Sequence, residues 1–286
     1  MAITYHEYKF LSYSNSKRQL GDVLTLGRTA LLFSTKDLLN INRVNQPAFK
    51  EKFCEKLLNI EFNAKSVVSA DYSKFEGANF IMDMNKSIYS KKKYDTIIDF
   101  GTSEHIFNVT QCFKNISYLC KKGGQILHIL PTNNYCGHGF WQFSPEIFFS
   151  LYNKKNGFLE TEVFLIDYSD KNGWWKILKQ NYGERLELTS KIPLSLAVRT
   201  VKKFKTPRWV VQQSDYQYAW SHKQKKYMSQ KNNISKFFKK VKDYIKVFLR
   251  NNLITKNYYS KIEFLKLSEN KDFKKKGYLK KINFDI

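Results

Sequence analysis

The sequence predicts an α/β fold in which helices cover both faces of a mostly parallel sheet. Over the first 200 residues, short apolar runs of strand type alternate with segments that have helical spacing. Several of the apolar runs end in glycine or aspartate, and residues just beyond the carboxyl ends of parallel strands form binding crevices. With 286 residues, 42% of them hydrophobic, the chain can form one sizeable core with an appendage.

The individual elements follow from local patterns. A helix over 47–60 begins at a proline, and a second over 106–120 is followed by KKGG at 121–124, which predicts a glycine C-cap. A third helix over 144–152 has Ser144 as its N-cap. The predicted strands, in chain order, are residues 22–28, 66–73, 80–85, 94–101, 125–131, 158–168 and 194–204.

Composition excludes several classes of protein. No run of about 20 apolar residues is present to span a membrane, and the opening segment TYHEYKF lacks the apolar run of a secretory signal. The four cysteines form no C-x-x-C pair, so we expect reduced thiols in a cytoplasmic chain, without a disulfide framework or a zinc site. No metal-ligating constellation is visible in the sequence, and we expect no metal.

Positive charge is concentrated towards the C-terminus. The chain has 49 Lys and Arg against 25 Asp and Glu, and residues 201–286 hold 23 of these basic residues against 6 acidic ones. We therefore predict a first domain over 1–205 and a basic, largely helical C-terminal extension over 206–286, with a frayed tail over 268–286. Within the extension, 235–250 predicts an amphipathic helix with lysines opposite an apolar stripe.

Three interpretations of this amphipathic helix stay open. Its apolar stripe could pack on the core, or the helix could lie on an anionic membrane, which would place the chain peripherally at the inner membrane face. Nucleic-acid binding is less favoured, because lysines outnumber arginines by 42 to 7 and the sequence shows no recognised RNA-binding module.

The residues that follow the predicted strands suit a nucleoside ligand. Gly27 follows the first strand, where a glycine permits close approach of a ligand to the backbone. Asp71 follows the second strand, and an ionised carboxylate can accept both hydroxyls of a ribose. Asp83 follows the third strand and could accept from the exocyclic amine of a purine, while Asp99 and Gly101 end the fourth.

Four segments resemble class I S-adenosylmethionine-dependent methyltransferases, in the order and with the spacing of that family. They are SADYSKFEGANFIMDMN (69–85), GTSEHIFN (101–108), KKGGQILHILP (121–131) and NNYCGHGFWQFSPEIFF (133–149). The resemblance runs from about residue 20 to 204 and is nearest to a bacterial subgroup often found beside sugar, capsule or lipid-modification genes. It implies a Rossmann-like, doubly wound sheet of seven mostly parallel strands, S-adenosylmethionine as cofactor, and methyl transfer as the activity.

The resemblance also implies a set of cofactor-binding residues. They are Gly27, Arg28, Asp71, Tyr72, Asp83, Met84, Asp99, Gly101, Thr102 and Glu104. The sequence departs from the family at the first turn, where LTLGRT keeps one glycine of the usual three. Either Arg28 and Thr29 replace the missing contacts, with Arg28 pairing the cofactor carboxylate, or affinity is low. The missing glycines also argue against a dinucleotide ligand.

The loop over 133–142 is the predicted acceptor site, since uncharged polar groups beside aromatic rings suit a hydroxylated or glycan-type acceptor. Its candidate substrate-binding residues are Asn133, Asn134, His138, Phe140 and Gln142. His138 and His105 are the candidate bases for a small-molecule or glycan-type acceptor methylated on oxygen or nitrogen.

Two simpler interpretations stay open within this pattern. Asp99 could be a buried acid that accepts backbone amides in the turn, and His128 predicts a core histidine rather than a base. The alternative for the whole chain is a catalytically degenerate protein of this fold that binds membranes or nucleic acid through its basic extension.

Overall fold

The computed structural model describes residues 2–179, 190–204, 208–221, 279–282 and 284. The chain forms two compact units. The first comprises Met1–Leu178, Ile192–Val211 and Leu279–Ile286, and the second comprises Lys179–Lys191 and Gln212–Tyr278. The predicted division into 1–205 and 206–286 stays a prediction, and the amphipathic helix predicted over 235–250 lies outside the described residues.

The elements alternate as the sequence predicts. The strands are β1 (Ala2–Ile3), β2 (Asp22–Leu26), β3 (Ala30–Leu31), β4 (Ser66–Asp71), β5 (Phe80–Ile81), β6 (Tyr94–Phe100), β7 (Cys120–Asn133), β8 (Phe158–Ile166), β9 (Trp174–Ile177), β10 (Leu194–Lys202) and β11 (Leu279–Lys281). The helices are α1 (Tyr5–Lys17), α2 (Thr35–Asn40), α3 (Glu55–Glu61), α4 (Val109–Leu119), α5 (Pro145–Leu151) and α6 (Ser214–Ser221). Short 3-10 helices span Pro47–Lys50, Ser103–His105 and Lys154–Asn156.

The main sheet has the order β11-β9-β8-β10-β7-β6-β2-β4-β5. From β2 the chain moves outwards through β4 to β5, then returns to β6 and β7 on the other side, and these five strands are parallel. Strand β10 is antiparallel to both β7 and β8. The predicted Rossmann-like, doubly wound sheet with seven mostly parallel strands is therefore confirmed, and β9 with β11 extends it at one edge.

Helices cover both faces of this sheet. On one face, α1 and α3 pack with alternate strand residues such as Ile98 and Leu127 in a single core cluster. On the other face, rings from α4 and α5 surround His128, whose neighbours in the strand point the opposite way. The alternation of side chains along buried strands fills both layers. None of the helices in the described part of the chain combines the length and hydropathy that a membrane span requires.

Two of the local predictions are wrong. The helix predicted over 47–60 is broken, because Phe53 forms a β-bridge with Ala30 between the 3-10 helix and α3. The glycines of KKGG do not cap α4, since the helix ends at Leu119 and β7 begins at the next residue. Gly124 is needed by the sheet instead, because a Cβ there would lie 2.7 Å from the Asp95 carbonyl oxygen.

The described residues near the C-terminus, 279–282 and 284, lie against the sheet, so the frayed tail predicted over 268–286 is wrong for them, and the rest of that predicted tail lies outside the described residues. Strand β11 pairs antiparallel with β9. The Phe284 ring lies 4.7 Å from the rings of both Trp174 and Tyr13 and is buried. The sequence analysis did not predict this aromatic contact, because the segment around Phe284 is rich in lysine.

Candidate active site

Two glycines directly follow the neighbouring strands between which the strand order reverses. Gly27 follows β2 and Gly101 follows β6, and both have left-handed backbone conformations, with φ of 73° and 86°. The Thr102 hydroxyl donates to the Leu26 carbonyl over 2.7 Å and joins the two turns. This crevice at the carboxyl edge is where open α/β sheets bind ligands, and the sequence predicted both glycines to be there.

A cavity of about 340 Å³ opens beside Gly101, at the carboxyl ends of β6 and β7. Its walls combine apolar strand ends with a small set of polar side chains, as ligand sites usually do. The polar or titratable residues of the lining are Thr4, Glu7, Glu104, His105, Tyr135, His138, Tyr168 and Ser195. Four sequence-predicted site residues therefore line it: Gly101, Glu104, His105 and His138.

The N-terminal segment forms one wall of this cavity, which the sequence did not predict. Strand β1 pairs in parallel with β3, just after the turn at Gly27. Helix α1 then begins with a capping box, in which Thr4 and Glu7 satisfy each other's backbone groups. Glu7 also accepts from the Tyr168 hydroxyl over 2.5 Å. The signal available in the sequence was the spacing Thr4-x-x-Glu7, which marks a helix start.

Three titratable side chains converge at the mouth of the cavity. Glu104 Oε1 lies 3.6 Å from His138 Nε2 and 3.9 Å from His105 Nε2. The two imidazole rings are 5.1 Å apart in an edge-to-face arrangement. Although 33 positions separate His105 from His138, the three side chains each have one candidate metal-ligating atom, and these atoms lie within 4.8 Å of one another. The sequence predicted no metal-ligating group, yet this is a set of side chains that could hold one.

Backbone contacts fix the loop that carries His138. The backbone amides of Phe140 and Trp141 both donate to the Glu104 carbonyl oxygen, over 2.7 and 3.2 Å. Gly139 has a φ of 74°, and a Cβ there would lie 2.8 Å from the same oxygen. A glycine is therefore required for the loop to approach Glu104 this closely.

Burial shapes the electrostatics of this group. Glu104 is only 1% exposed, and its Oε2 atom has no hydrogen-bond partner among the described residues. Burial, together with the nearby Asp99 carboxylate, raises the pKa of Glu104 to about 8. Burial and the neighbouring His138 lower the pKa of His105.

Asp99 lies outside the cavity, in a fully buried network on the α4 and α5 face. Its carboxylate accepts from the Ser103 hydroxyl over 2.6 Å and from the backbone amides of Thr102 and Ser103 over 3.2 Å. His128 Nδ1 lies 2.7 Å from the same carboxylate, and His128 Nε2 lies 2.7 Å from the Tyr152 hydroxyl. This is the buried acid that the sequence left open as an alternative, and the prediction of His128 as a core histidine is confirmed.

The acidic edge predicted for a nucleoside lies on the other side of the crevice. The Gly27 amide donates to the Ala70 carbonyl, which places Gly27 beside Asp71 at the end of β4. Asp71 accepts from the backbone amide of Tyr72 over 2.6 Å, and the Tyr72 ring is exposed. Asp83 follows β5, where hydrogen bonds from Asn85 lower its pKa.

The remaining predicted cofactor residues have structural contacts of their own. Met84 is buried, and its carbonyl accepts from the Asn115 side chain. The Arg28 guanidinium donates to Glu55 over 2.8 Å and to the Glu76 carbonyl over 2.9 Å, and it stacks 4.0 Å above the Phe53 ring. Arg28 lines a separate pocket of about 300 Å³ with Glu55 and does not line the cavity.

Most of the predicted substrate-binding residues lie around the cavity and not in its lining. Asn134 donates to the Ile192 carbonyl, Gln142 accepts from the Tyr135 amide, and the exposed Phe140 ring packs edge-on against Phe107. Asn133 ends β7 opposite Leu194. The loop instead contributes Tyr135 and His138 to the lining, and Ser195 reaches it from β10 with its hydroxyl 3.2 Å from the Tyr135 hydroxyl.

No family model matches this sequence, and no curated protein matches it. Solved structures do. The N-methyltransferase NodS from Bradyrhizobium japonicum is 13% identical, with 70% of this chain and 96% of that chain covered and a TM-score of 0.38. A SAM-dependent methyltransferase from Thermotoga maritima is 12% identical, with 70% and 91% covered and a TM-score of 0.37. One from Clostridium acetobutylicum is 13% identical, with 71% and 76% covered and a TM-score of 0.29. All three are methyltransferases.

NodS has also been solved with S-adenosyl-L-homocysteine, the product that methyl transfer leaves. At these identities and TM-scores the likeness carries no conclusion about substrate or mechanism. What this chain binds therefore has to be inferred from its own residues.

Proposed function

We propose that this chain is an S-adenosylmethionine-dependent methyltransferase whose acceptor enters the cavity at the carboxyl ends of β6 and β7. The observation that carries the proposal is the arrangement around one switch point. A nucleoside-type edge with Gly27, Asp71 and Asp83 lies on one side, and a partly apolar cavity with titratable groups lies on the other. A transfer reaction between a nucleoside cofactor and a second molecule needs both sites next to each other.

The residues of the first side suit the cofactor chemically. Asp71 offers carboxylate oxygens to ribose hydroxyls, and the left-handed Gly27 permits close approach to the backbone. When bound, S-adenosylmethionine supplies an electrophilic methyl group. The chain has no G-x-G-x-x-G turn for a pyrophosphate, which disfavours a dinucleotide at this edge.

The second side suits an acceptor with a hydroxyl or amine group, and we infer a small-molecule or glycan-type compound. His138 and His105 are about half exposed at the cavity mouth, where an imidazole can take the proton that a hydroxyl acceptor releases. An amine acceptor can instead lose its proton to solvent after transfer. Tyr135, Tyr168 and Ser195 offer hydroxyl groups that can orient a polyhydroxyl ligand.

The test is a calorimetric titration of the full chain with S-adenosylmethionine, with S-adenosylhomocysteine and NAD as comparators. We expect micromolar binding of the first two and no heat with NAD. Asp71→Ala should weaken S-adenosylmethionine binding by about 30- to 150-fold, because hydrogen bonds to a charged partner are worth about 2–3 kcal/mol.

Glu51→Ala is the control variant for lost negative charge, because Glu51 is a surface residue that pairs with Lys56. It should bind the cofactor as the wild type does. Absence of heat with S-adenosylmethionine in the wild-type chain would contradict the proposed function. Equal binding by Asp71→Ala and wild type would remove Asp71 from the site.

A further inference from the structure

We propose that Glu104, His105 and His138 form a site for a divalent transition-metal ion of the Zn²⁺ type at the mouth of the cavity. The site goes beyond methyl transfer, since metal binding does not require S-adenosylmethionine. The three side chains offer one carboxylate oxygen and two imidazole nitrogens, and all the candidate ligand atoms lie within 4.8 Å of one another.

The distances between the Glu104 oxygen and the two histidine nitrogens fit coordination of one shared metal ion better than direct hydrogen bonds. Glu104 Oε1 lies 3.6 Å from His138 Nε2 and 3.9 Å from His105 Nε2, beyond the usual hydrogen-bond range of about 2.7–3.2 Å. Two ligands on a tetrahedral Zn²⁺ with bonds of about 2.0–2.2 Å are about 3.3–3.6 Å apart. Small side-chain rotations would therefore bring the three atoms onto one ion.

The burial of Glu104 is an independent reason to expect a cation at this site. Its side chain is almost fully buried, and Oε2 is the one buried carboxylate oxygen in the described part of the chain that lacks a hydrogen-bond partner. A buried carboxylate without a donor or a counter-charge is strongly disfavoured. Among the described residues no Lys or Arg forms an ion pair with Glu104, and the titratable side chains within 4 Å of its carboxylate are the two histidines. A cation between them would compensate the carboxylate.

The backbone holds the ligands in place before any ion binds. Glu104 and His105 lie on the short 3-10 helix Ser103–His105, and the amides of Phe140 and Trp141 tie the His138 loop to Glu104. The Trp141 indole also donates to the Ile106 carbonyl over 2.9 Å. A metal site built on such fixed main-chain contacts loses little conformational freedom on binding.

The ligand set indicates the class of ion. Two imidazoles with one carboxylate are typical of catalytic zinc sites and other first-row transition-metal sites, whereas Mg²⁺ and Ca²⁺ prefer all-oxygen ligands. Three protein ligands leave at least one coordination position, and the partly exposed histidines open towards the cavity. That position would take an oxygen or nitrogen ligand, and a metal-bound hydroxyl has a lowered pKa. An imidazole nitrogen that binds the metal cannot also act as a base, so the ion would replace His138 and His105 in that role.

The experiment is a metal titration of the full chain after treatment with a chelator. We expect one equivalent of Zn²⁺ to bind by calorimetry, and Co²⁺ to give the visible d–d absorption of a low-coordinate site without a thiolate charge-transfer band. Glu104→Gln, His105→Ala and His138→Ala should each weaken Zn²⁺ binding by more than about 100-fold, above the loss that outer-shell partners cause. Circular dichroism checks that each variant is folded, and both histidines are half exposed, so their replacement should leave the fold intact.

Two control variants make the assignment specific. Cys136→Ser removes the exposed thiol of the same loop, and His222→Ala removes a histidine outside the described residues. Both should bind Zn²⁺ as the wild type does. Absence of stoichiometric binding, or wild-type affinity in the three ligand variants, would overturn the metal site, as would loss of binding in either control. Because no cofactor is present in this titration, its failure leaves the proposed methyl transfer to be judged by the S-adenosylmethionine experiment alone.

Discussion

Two buried carboxylates only five positions apart have opposite surroundings in this protein. Asp99 accepts hydrogen bonds from a hydroxyl and two backbone amides and contacts His128, so both of its carboxylate oxygens have hydrogen-bond partners. Glu104 also lies beside histidines, but at 3.6 and 3.9 Å, and its Oε2 atom has no hydrogen-bond partner in the described part of the chain. A fully satisfied buried acid stabilises the fold, whereas an unsatisfied one at a cavity indicates a binding role.

The largest expected effect tests the satisfied acid. Asp99→Asn should lower the free energy of unfolding by about 3–5 kcal/mol, because the amide places a donor against the donors that now face the carboxylate. Urea unfolding measures the change. Glu104→Gln is the matched variant and should change stability by no more than about 1 kcal/mol, since its side chain already lacks one partner. Similar losses of stability in the two variants would contradict this difference between Asp99 and Glu104.

A third buried polar group, His6, should make the stability of the fold depend on pH. It accepts from the Trp174 indole over 2.9 Å, and burial together with Lys9 lowers its pKa to about 4. The unfolded chain takes up this proton near pH 6.5 and the native chain near pH 4, so stability is retained above 6.5 and lost as the pH falls towards 4. The loss attributable to His6 should reach about 3 kcal/mol.

Chemical denaturation at a series of pH values measures this dependence. His6→Gln keeps a side-chain acceptor and cannot titrate, so its stability should fall less steeply between pH 6.5 and 4. If the two proteins show the same pH profile, the histidine does not stay neutral in the native state.

The smallest expected effect concerns the loop that brings His138 to Glu104. Gly137 and Gly139 both have left-handed φ. A Cβ at Gly137 would meet no atom of the described residues within 4 Å, whereas one at Gly139 would lie 2.8 Å from the Glu104 carbonyl oxygen. Each Gly→Ala variant should cost about 1 kcal/mol for the conformation. Gly139→Ala should cost roughly 1 kcal/mol more, because the loop must also move.

Unfolding midpoints of the two glycine variants provide the measurement. Equal stabilities would show that the close approach to Glu104 is not a constraint on the loop. A larger loss at Gly137 would reverse the assignment of the two glycines.

The sequence by itself determined the alternating elements and the residues at the carboxyl edge. Local periodicity predicts strands such as β6 and β10, and local capping chemistry predicts Ser144 as the N-cap of α5. Both signals come from residues that are close together in the sequence. Gly27 and Gly101 were predictable for the same reason, because each directly follows a buried strand. The broken helix before α3 was not, since its break comes from the β-bridge of Phe53 to Ala30, 23 positions away.

Only the tertiary structure decided which titratable groups meet. The sequence places Asp99 and Glu104 five positions apart, but the alternation of side chains along β6 turns Asp99 into the α4 and α5 layer, while the turn after Gly101 leaves Glu104 at the cavity. His138 lies beside Glu104 because the backbone amides of Phe140 and Trp141 donate to the Glu104 carbonyl oxygen and hold the loop there. Such contacts join segments far apart in the chain, and spacing within one sequence carries no signal for them.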